Sequence, residues 1–389
     1  MAKHALLSAS GASRWMACPP SARLEQNYKN ESSEFAQEGT LAHELGELTL
    51  SHKLGHITVR KFNSEFKKIK ANPLFTEDMP DYVGIYVDTC LERVSEARRI
   101  TSDAVVCLEQ KLNFSQWVPE GFGTGDMVII ADGTMEIIDL KYGKGIAVSA
   151  IGNKQMRLYA LGAIAEFSFL YDIETIKMTI VQPRLDSIST DIVKAEDLLK
   201  WADEVLAPVA QQAIKGEGEF CSGDHCGFCN AKAVCKARTD KNMELAKYDF
   251  EAPKVLDYED IAFILGRVDE LVKWSKDVQD YALAKALEGE DFPGWKVVEA
   301  RGARKWTNED EVGAVLLEQG FLENIIYTKK LTGITNMETA IGKKEVNRLL
   351  GDLIEKPPGK PKMAVESDKR PVFIPAIEDF KVESDDMPF

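Results

Sequence analysis

Residues 123–142 read GTGDMVIIADGTMEIIDLKY, and this stretch decides the fold class. Two apolar runs of strand length flank the turn Ala131-Asp132-Gly133-Thr134, which is typical of a hairpin. Residues two apart on a strand project from the same face, so Asp139 and Lys141 lie together and Asp126 can meet them from the neighbouring strand. The stretch therefore predicts an antiparallel strand pair with a polar cluster on one face.

The segments around this hairpin change period from helix to strand and back. The pattern predicts helices over 33–55, 78–100, 150–168 and 194–216, and further strands over 104–112 and 176–185. Such an order is typical of an α/β or α+β fold in which a mixed sheet is flanked by helices.

Three domains follow from the changes in composition along the chain. Residues 1–240 would form the sheet domain, closed by a cluster of cysteines. Residues 241–355 would form a mainly helical accessory region with a Trp/Arg-rich segment, with helices over 256–288, 308–319 and 343–354 and a strand pair or loop over 291–306. Residues 356–389 are rich in proline and charge, which predicts a disordered acidic tail.

The net charge of −15 over 389 residues argues against a protein that wraps DNA by bulk electrostatics. It leaves a nuclease open, because acidic residues hold metal ions and a local groove can be basic on an acidic body. Because no apolar run reaches membrane-spanning length and the start has no signal-peptide stretch, we expect a cytoplasmic protein without a membrane partner.

The polar residues of the predicted sheet suit phosphodiester hydrolysis. Asp126, Asp139 and Glu109 offer hard oxygen ligands for Mg²⁺ or Mn²⁺, and His43 can reach them from the first helix. Lys141 can orient a water molecule or stabilise developing charge. A solvated strand face is the alternative interpretation, although the apolar context MEIIDL means that a buried Asp139 needs a partner.

The order of these residues resembles the PD-(D/E)xK nuclease superfamily, and its RecB-like branch in particular. The matching motifs, within residues 10–240, are Gly39-Thr40-Leu41-Ala42-His43, Glu109, Gly123-Thr124-Gly125-Asp126, Asp139-Leu140-Lys141 and Gln155-Met156-Arg157-Leu158-Tyr159. The resemblance implies a restriction-endonuclease-like core in which His43, Asp126 and Asp139 bind the metal, with Glu109 assisting. It also implies that Lys141 is catalytic and that Gln155 and Tyr159 contact DNA or buttress the site.

Four cysteines fall within fifteen residues, and a fifth, Cys18, lies far upstream. A C-x2-C pair lets two thiolates hold one metal ion or cluster, and four thiolates suit Zn²⁺ or [4Fe–4S]. Cys18 with Cys226, Cys229 and Cys235 resembles the iron–sulfur staple of AddB-type and CRISPR-adaptation RecB-like nucleases. That resemblance implies a structural [4Fe–4S] cluster, with Cys221 or His225 as alternative fourth ligands.

The final residues, Asp385-Asp386-Met387-Pro388-Phe389, resemble the acidic tip of bacterial single-stranded-DNA-binding proteins. This implies docking to the host repair proteins that bind such tips. Further motifs are His4, Ser8-Ala9-Ser10, Trp15, Cys18-Pro19, Gly39-Thr40-Leu41-Ala42-His43, Gly294-Trp295-Lys296 and Ser367-Asp368-Lys369-Arg370-Pro371. In these the whole chain resembles an uncharacterised family carried by phages and prophages, which would place the protein in the host cytoplasm.

Together these resemblances imply a metal-dependent deoxyribonuclease, an exonuclease of phage recombination or replication. Two alternatives remain: a structure-selective endonuclease, and a non-cutting protein that keeps the fold but only binds DNA ends or recruits partners. The presence of Asp126, Asp139 and Lys141 disfavours the non-cutting protein.

Overall fold

The computed structural model describes residues 5–28, 34–245, 258–298, 308–320, 322–327 and 333–354. The chain divides into two compact units, 1–304 and 305–389. The sheet and the candidate site belong to the first unit, and the boundary suggested at residue 240 lies inside that unit.

One five-stranded sheet forms the centre of the first unit. Its strands are β1 (Val105–Asn113), β2 (Phe122–Ala131), β3 (Gly133–Leu140), β4 (Ile173–Gln182) and β5 (Ser187–Lys194), and they lie in that order. The pairings are antiparallel except for β3 with β4, which is parallel. A parallel pair needs a crossover connection, and helix α6 (Lys154–Phe167) supplies it. The predicted hairpin and the mixed sheet flanked by helices are confirmed.

Apolar side chains cover both faces of the central strands. Ile137, Met178 and Ile180 belong to one buried cluster, whereas Met127 and Ile138 belong to another on the opposite face. Because β2 and β3 are buried on both sides, their sequences are nearly continuous apolar runs. Polar residues in these runs therefore stand out as candidates for function.

The helices of the first unit occupy both faces. Their bounds are α1 (Ala12–Ala17), α2 (Ser21–Leu24), α3 (Glu34–Lys53), α4 (Val59–Lys70), α5 (Met79–Ile100), α7 (Ala195–Trp201), α8 (Ala207–Lys215), α9 (Lys236–Met243), α10 (Tyr258–Leu265) and α11 (Val268–Leu287). Helices α7 and α8 are joined by a π-helical turn at Ala202–Leu206, and α8 ends at Gly216, whose φ of 76° is left-handed. The helix predicted over 194–216 is thus one almost continuous rod.

Three differences from the predicted elements have local causes. The edge strand β5 was not predicted because three polar residues separate its apolar Ile188 and Ile192, which is not the strict alternation of a half-buried strand. Helix α4 was absent from the predicted order. The single helix predicted over 256–288 is wrong: it breaks after Leu265, where Gly266 lowers helix propensity.

Short helices make up the described part of the second unit. They are α12 (Glu309–Glu318), α13 (Glu323–Ile326), α14 (Ile334–Ile341) and α15 (Lys343–Leu350). The helices predicted over 308–319 and 343–354 are confirmed, the latter ending as a 3₁₀ turn at Gly351–Leu353. Residues 291–298 contain a turn and no strand, and 299–307 and the tail 356–389 lie outside the described residues. Across the described ranges, no helix is both long and apolar enough to cross a membrane.

Candidate metal centre

Three carboxyl-bearing residues occupy one row across β1, β2 and β3. Met127 of β2 pairs with Leu108 of β1 and with Ile138 of β3. Asp126, the preceding residue of β2, lies between the paired positions that flank Glu109 on β1 and is bonded to the β3 end of the row, because its Oδ2 accepts from the Leu140 amide at 2.7 Å. Residues directly opposite have Cβ atoms about 4.5–5.5 Å apart, and like charges there are destabilising. This carboxylate row is therefore a place where a cation would be stabilising.

His43 approaches the row from α3. Leu41, Ala42 and Leu45 bury one side of that helix, and His43 Nδ1 lies 3.2 Å from Asp126 Oδ2. Ligand atoms of His43, Glu109 and Asp126 all lie within 4.8 Å of one another. Opposite ligands of one Mg²⁺ are separated by about 4.2 Å, given metal–oxygen distances of about 2.1 Å. A small contraction would bring these three groups onto one ion.

Glu109 and His43 titrate differently from free side chains. Burial raises the pKa of Glu109 to about 7, and the charge of Asp126 adds to the effect. Burial would lower the pKa of His43, but its hydrogen bond to Asp126 and the charge of that carboxylate outweigh burial and raise it. Burial therefore acts in opposite directions on the two groups, whereas the charge of Asp126 raises the pKa of both.

The backbone of Glu109 is left-handed, with φ of 46°. A non-glycine residue in this region costs of order 1–3 kcal/mol and often marks a functional site. The distortion falls within β1, where pairing is present at Leu108 and Gln110 but not at Glu109 itself. The strained residue is thus the one that completes the row.

Lys141 is held between Asp139 and Gln155. Its Nζ lies 3.0 Å from Asp139 Oδ2 and donates to Gln155 Oε1 at 2.9 Å. Gln155 Nε2 donates to Asp139 Oδ1 at 3.3 Å and to Tyr159 Oη at 3.0 Å. Burial raises the pKa of Asp139, and the neighbouring Lys141 opposes this. One hydrogen-bond network thus joins Asp139, Lys141, Gln155 and Tyr159. The other predicted residues of the sheet site, His43, Glu109 and Asp126, lie beside it.

Gly123 owes its identity to Tyr159. A Cβ atom at Gly123 would lie 2.6 Å from Cε1 of that ring, which is closer than van der Waals contact. Gly123, the first glycine of the Gly123-Thr124-Gly125-Asp126 motif, thus makes room for Tyr159, which contacts Gln155.

Gln182, at the end of β4, is a site residue that the sequence analysis missed. Its side chain is 2% exposed. The amide donates to the carbonyl oxygens of Gly143 and Ile146, each at 2.8 Å, and accepts from the Val148 amide at 2.9 Å. It therefore fixes the loop that follows Lys141. A polar residue ending the apolar run TIVQ was the available signal.

The four predicted cysteine ligands line one small cavity. Cys18, Cys226, Cys229 and Cys235 share it with Cys221 and His225. Thiolates on one zinc ion lie about 3.8 Å apart, given tetrahedral geometry and a Zn–S distance of about 2.3 Å. Within the part of the chain that the structure describes, no three cysteine sulfurs come within 4.8 Å of one another. The cysteines are therefore neighbours but do not form a closed zinc site.

His225 and Cys221 approach Cys18 in different ways. The His225 ring hydrogen-bonds with the thiols of Cys18 and Cys226, which raise its pKa to about 10. Cys221 uses its backbone, whose N–H donates to Cys18 Sγ at 3.4 Å. Its own thiol is exposed. Cys90, which lies on α5 away from this cavity, is fully buried.

Arg14 and Glu25 join the N-terminal segment to the cysteine segment, and neither was predicted. Arg14 Nε lies 2.6 Å from Glu25 Oε2, and Arg14 Nη1 donates to the Phe228 carbonyl at 2.9 Å. The Asn230 amide donates to Glu25 Oε1 at 2.7 Å. These bonds hold Cys18 near the downstream cysteines without any metal.

Two further predictions concern the C-terminal acidic residues and the Trp/Arg-rich segment. Asp385-Asp386-Met387-Pro388-Phe389 lies outside the described residues, as do residues 299–306 of the Trp/Arg-rich segment. Trp295, within the described part of that segment, is 85% exposed.

Comparison with known proteins gives a weak structural similarity and a family. A solved structure titled "Crystal structure of SSO0001" aligns with 50% of this chain and 95% of its own, at 15% identity and a TM-score of 0.22. So low a score carries no argument about fold or function. The family model described as "Protein of unknown function (DUF2800)" matches residues 4–371, and the chain therefore belongs to that family.

Proposed function

We propose that this protein is a metal-dependent nuclease that hydrolyses DNA phosphodiester bonds, with a core of the PD-(D/E)xK type. The observation that carries the proposal is the carboxylate row of Glu109, Asp126 and Asp139, with His43 at one side and Lys141 at the other. A solvated strand face would not explain it, because Asp126 and Asp139 are buried.

The donor set fits a hard divalent cation. His43, Glu109 and Asp126 would hold the ion, with Asp139 beside them, and the imidazole would favour Mn²⁺ relative to Mg²⁺. When bound, such an ion polarises a phosphoryl oxygen and lowers the pKa of an attacking water.

The protein supplies orientation and charge. Lys141 is kept extended by Asp139 and Gln155, so its ammonium group can orient the water or stabilise charge on the phosphoryl oxygens. Gln155 is itself oriented by Tyr159. These two residues would act by positioning Lys141, and the half-buried Gln155 could also contact the DNA.

For the cysteine cavity we propose a structural [4Fe–4S] cluster on Cys18, Cys226, Cys229 and Cys235. A cluster spreads its four thiolates more widely than a single zinc ion does, so the open spacing favours iron over Zn²⁺. Metal analysis and the visible spectrum of anaerobically purified protein would test this. Bound iron with a visible absorbance is expected, and one equivalent of zinc without iron would contradict the proposal.

The mode of action proposed is exonucleolytic, in phage recombination or replication, with the acidic C-terminal residues recruiting host repair proteins. A structure-selective endonuclease and a non-cutting DNA-end-binding protein are the competing proposals. Product length separates the first two, and the absence of any product identifies the third.

The test is digestion of end-labelled single- and double-stranded DNA by the anaerobically purified full chain with Mn²⁺ or Mg²⁺. Degradation by the natural protein, lost in Lys141→Ala and Asp126→Asn but kept in the exposed-lysine control Lys53→Ala, is the expected result. If the natural protein degrades no DNA with either ion, or if Lys141→Ala cuts normally, the proposal is wrong.

A further inference from the structure

Two cationic side chains, those of Lys154 and Arg157, lie against one tryptophan beside the candidate metal centre. Lys154 Nζ lies 5.5 Å, and Arg157 Cζ 5.1 Å, from the centroid of the Trp201 ring. Within the described ranges neither cation forms an ion pair, although acidic residues outnumber basic ones by 63 to 48 in the chain. We name these three residues the Lys154–Arg157 patch.

Three features of Lys154 and Arg157 are destabilising when no ligand is bound. Cations at a helix N-terminus oppose the helix dipole, and Lys154 is the first residue of α6, whose first turn has no acidic residue. Burial and the charge of Arg157 lower the pKa of Lys154. Arg157 Nε is buried and makes no hydrogen bond to the part of the chain that is described. Each cost would fall if an anion were bound.

The patch adjoins the carboxylate row through Gln155. This residue follows Lys154 directly and hydrogen-bonds both Asp139 and Lys141. Successive residues of a helix point about 100° apart. Gln155 therefore faces the row while Lys154 and Arg157, three residues apart, share the adjacent face.

The Trp201 ring holds the Lys154 ammonium and Arg157 guanidinium groups in place without neutralising their charge. The face of an aromatic ring attracts a cation only weakly, so the positive charge of each side chain stays available to a ligand. A phosphodiester accepts hydrogen bonds from Arg and Lys, and such contacts position a nucleic-acid strand without reading its sequence.

We propose that Lys154 and Arg157 bind the phosphodiester backbone of a DNA strand next to the phosphate held at the carboxylate row. This inference rests on the proposed nuclease function, whose substrate it places along the start of α6. It gives an acidic protein a local cationic contact for its substrate.

Binding of a fluorescent 12-nucleotide single-stranded DNA to the full chain in EDTA, followed by anisotropy over a range of salt, tests the inference without cleavage. Lys154→Gln/Arg157→Gln should weaken binding at least about tenfold, because two phosphate contacts are lost. It should also reduce the salt slope by about 1.4, at about 0.7 per phosphate. The conservative exchange Lys154→Arg/Arg157→Lys should stay within about threefold of the natural protein.

Arg98→Gln/Arg99→Gln is the matched control. It removes the same charge from the exposed end of α5, on the other face of the sheet, and should change the affinity less than about twofold. Equal losses in the two double variants, no loss in either, or no binding by the natural protein would each overturn the inference. If Lys154→Gln/Arg157→Gln does not fold, as judged by circular dichroism, Lys154→Gln alone should still weaken binding and lower the slope by about 0.7.

The same variants separate this inference from the proposed function. Selective loss of binding together with no cleavage under any condition would keep the patch and remove the nuclease. Metal-dependent cleavage together with unchanged binding in Lys154→Gln/Arg157→Gln would keep the nuclease and remove the patch.

Discussion

At the scale of single residues, the carboxylate row destabilises the fold but provides the ligands for the proposed metal ion. Opposed like charges in a sheet cost up to about 1 kcal/mol per pair, and Glu109 adds left-handed backbone. Proteins tolerate such costs where a ligand recovers them. The row should therefore be easy to stabilise by substitution and hard to change without losing metal affinity.

Glu109→Gln tests this trade-off. It removes one negative charge while keeping the shape, so at pH 8 in EDTA the free energy of unfolding should rise by about 0.5–1 kcal/mol. Affinity for Mn²⁺ should fall at least about tenfold. Urea denaturation and calorimetry measure the two quantities, with the exposed Glu92→Gln as control. A less stable Glu109→Gln protein with unchanged Mn²⁺ affinity would mean that Glu109 is structural.

Gly123→Ala probes the packing behind the metal centre. The added methyl group would lie 2.6 Å from the Tyr159 ring. The free energy of unfolding should therefore fall by about 1–3 kcal/mol relative to the natural protein. Gly39→Ala, in a helix with nothing within 4 Å of the added atom, should instead stabilise by about 0.5–1 kcal/mol. Thermal melts of the two variants compare them, and shifts of the same sign would refute the argument.

At the scale of elements, the loop between β3 and α6 connects Lys141 to Gln155, and residues of other strands fix it. The side chain of Gln182 on β4 hydrogen-bonds the backbone of Gly143, Ile146 and Val148 in the first half of this loop. Ser189 and Asp191 of β5 accept from the amides of Ala150 and Gly152, both at 3.0 Å. The loop is therefore a rigid part of the site.

Gln182→Leu should loosen that loop. Three hydrogen bonds disappear, so we expect a loss of about 2–4 kcal/mol in the free energy of unfolding. Amide hydrogen exchange should accelerate at 143–148 more than in α5. Gln211→Leu, on the exposed side of α8, is the control. Unchanged exchange in the loop would show that Gln182 does not hold it.

The sequence pattern predicted elements where one period dominates a long segment. The hairpin, α3 and α5 follow from such periods, and Asp126, Asp139 and Lys141 follow from strand alternation in an apolar context. The contacts of Gln182, Arg14 and Glu25 could not be predicted this way, because their partners lie 34 to 39, 214 and 205 residues away. Contacts of that kind depend on the tertiary fold, which no local period encodes.

At the scale of the molecule, a buried arginine joins the cysteine segment to the helices that follow it. Arg238 of α9 is fully buried and lies 2.6 Å from carboxylate oxygens of both Glu270 and Asp277 on α11. Lys232 also pairs with Asp277, at 2.9 Å. This network keeps residues 1–304 together beyond the predicted boundary at 240.

The network predicts an acid-sensitive contribution to stability. Burial would raise the pKa of Asp277, but Arg238 and Lys232 outweigh burial and lower it below that of an unfolded aspartate. A depressed pKa contributes stability above the unfolded value, near 3.9, and that contribution is lost as pH falls through the folded value. Asp277→Asn should therefore be less stable by about 1–3 kcal/mol at pH 7, and the difference should shrink toward pH 3. Urea melts across this range measure it, and a constant difference would contradict the assignment.

The central claim is that the carboxylate row is a metal centre, and calorimetric titration of Mn²⁺ into the full chain tests it most directly. We predict about one Mn²⁺ bound at the row, with affinity reduced at least about tenfold in Asp126→Asn and unchanged in the exposed control Asp81→Asn. Equal Mn²⁺ affinity in the natural protein and in Asp126→Asn would contradict the claim.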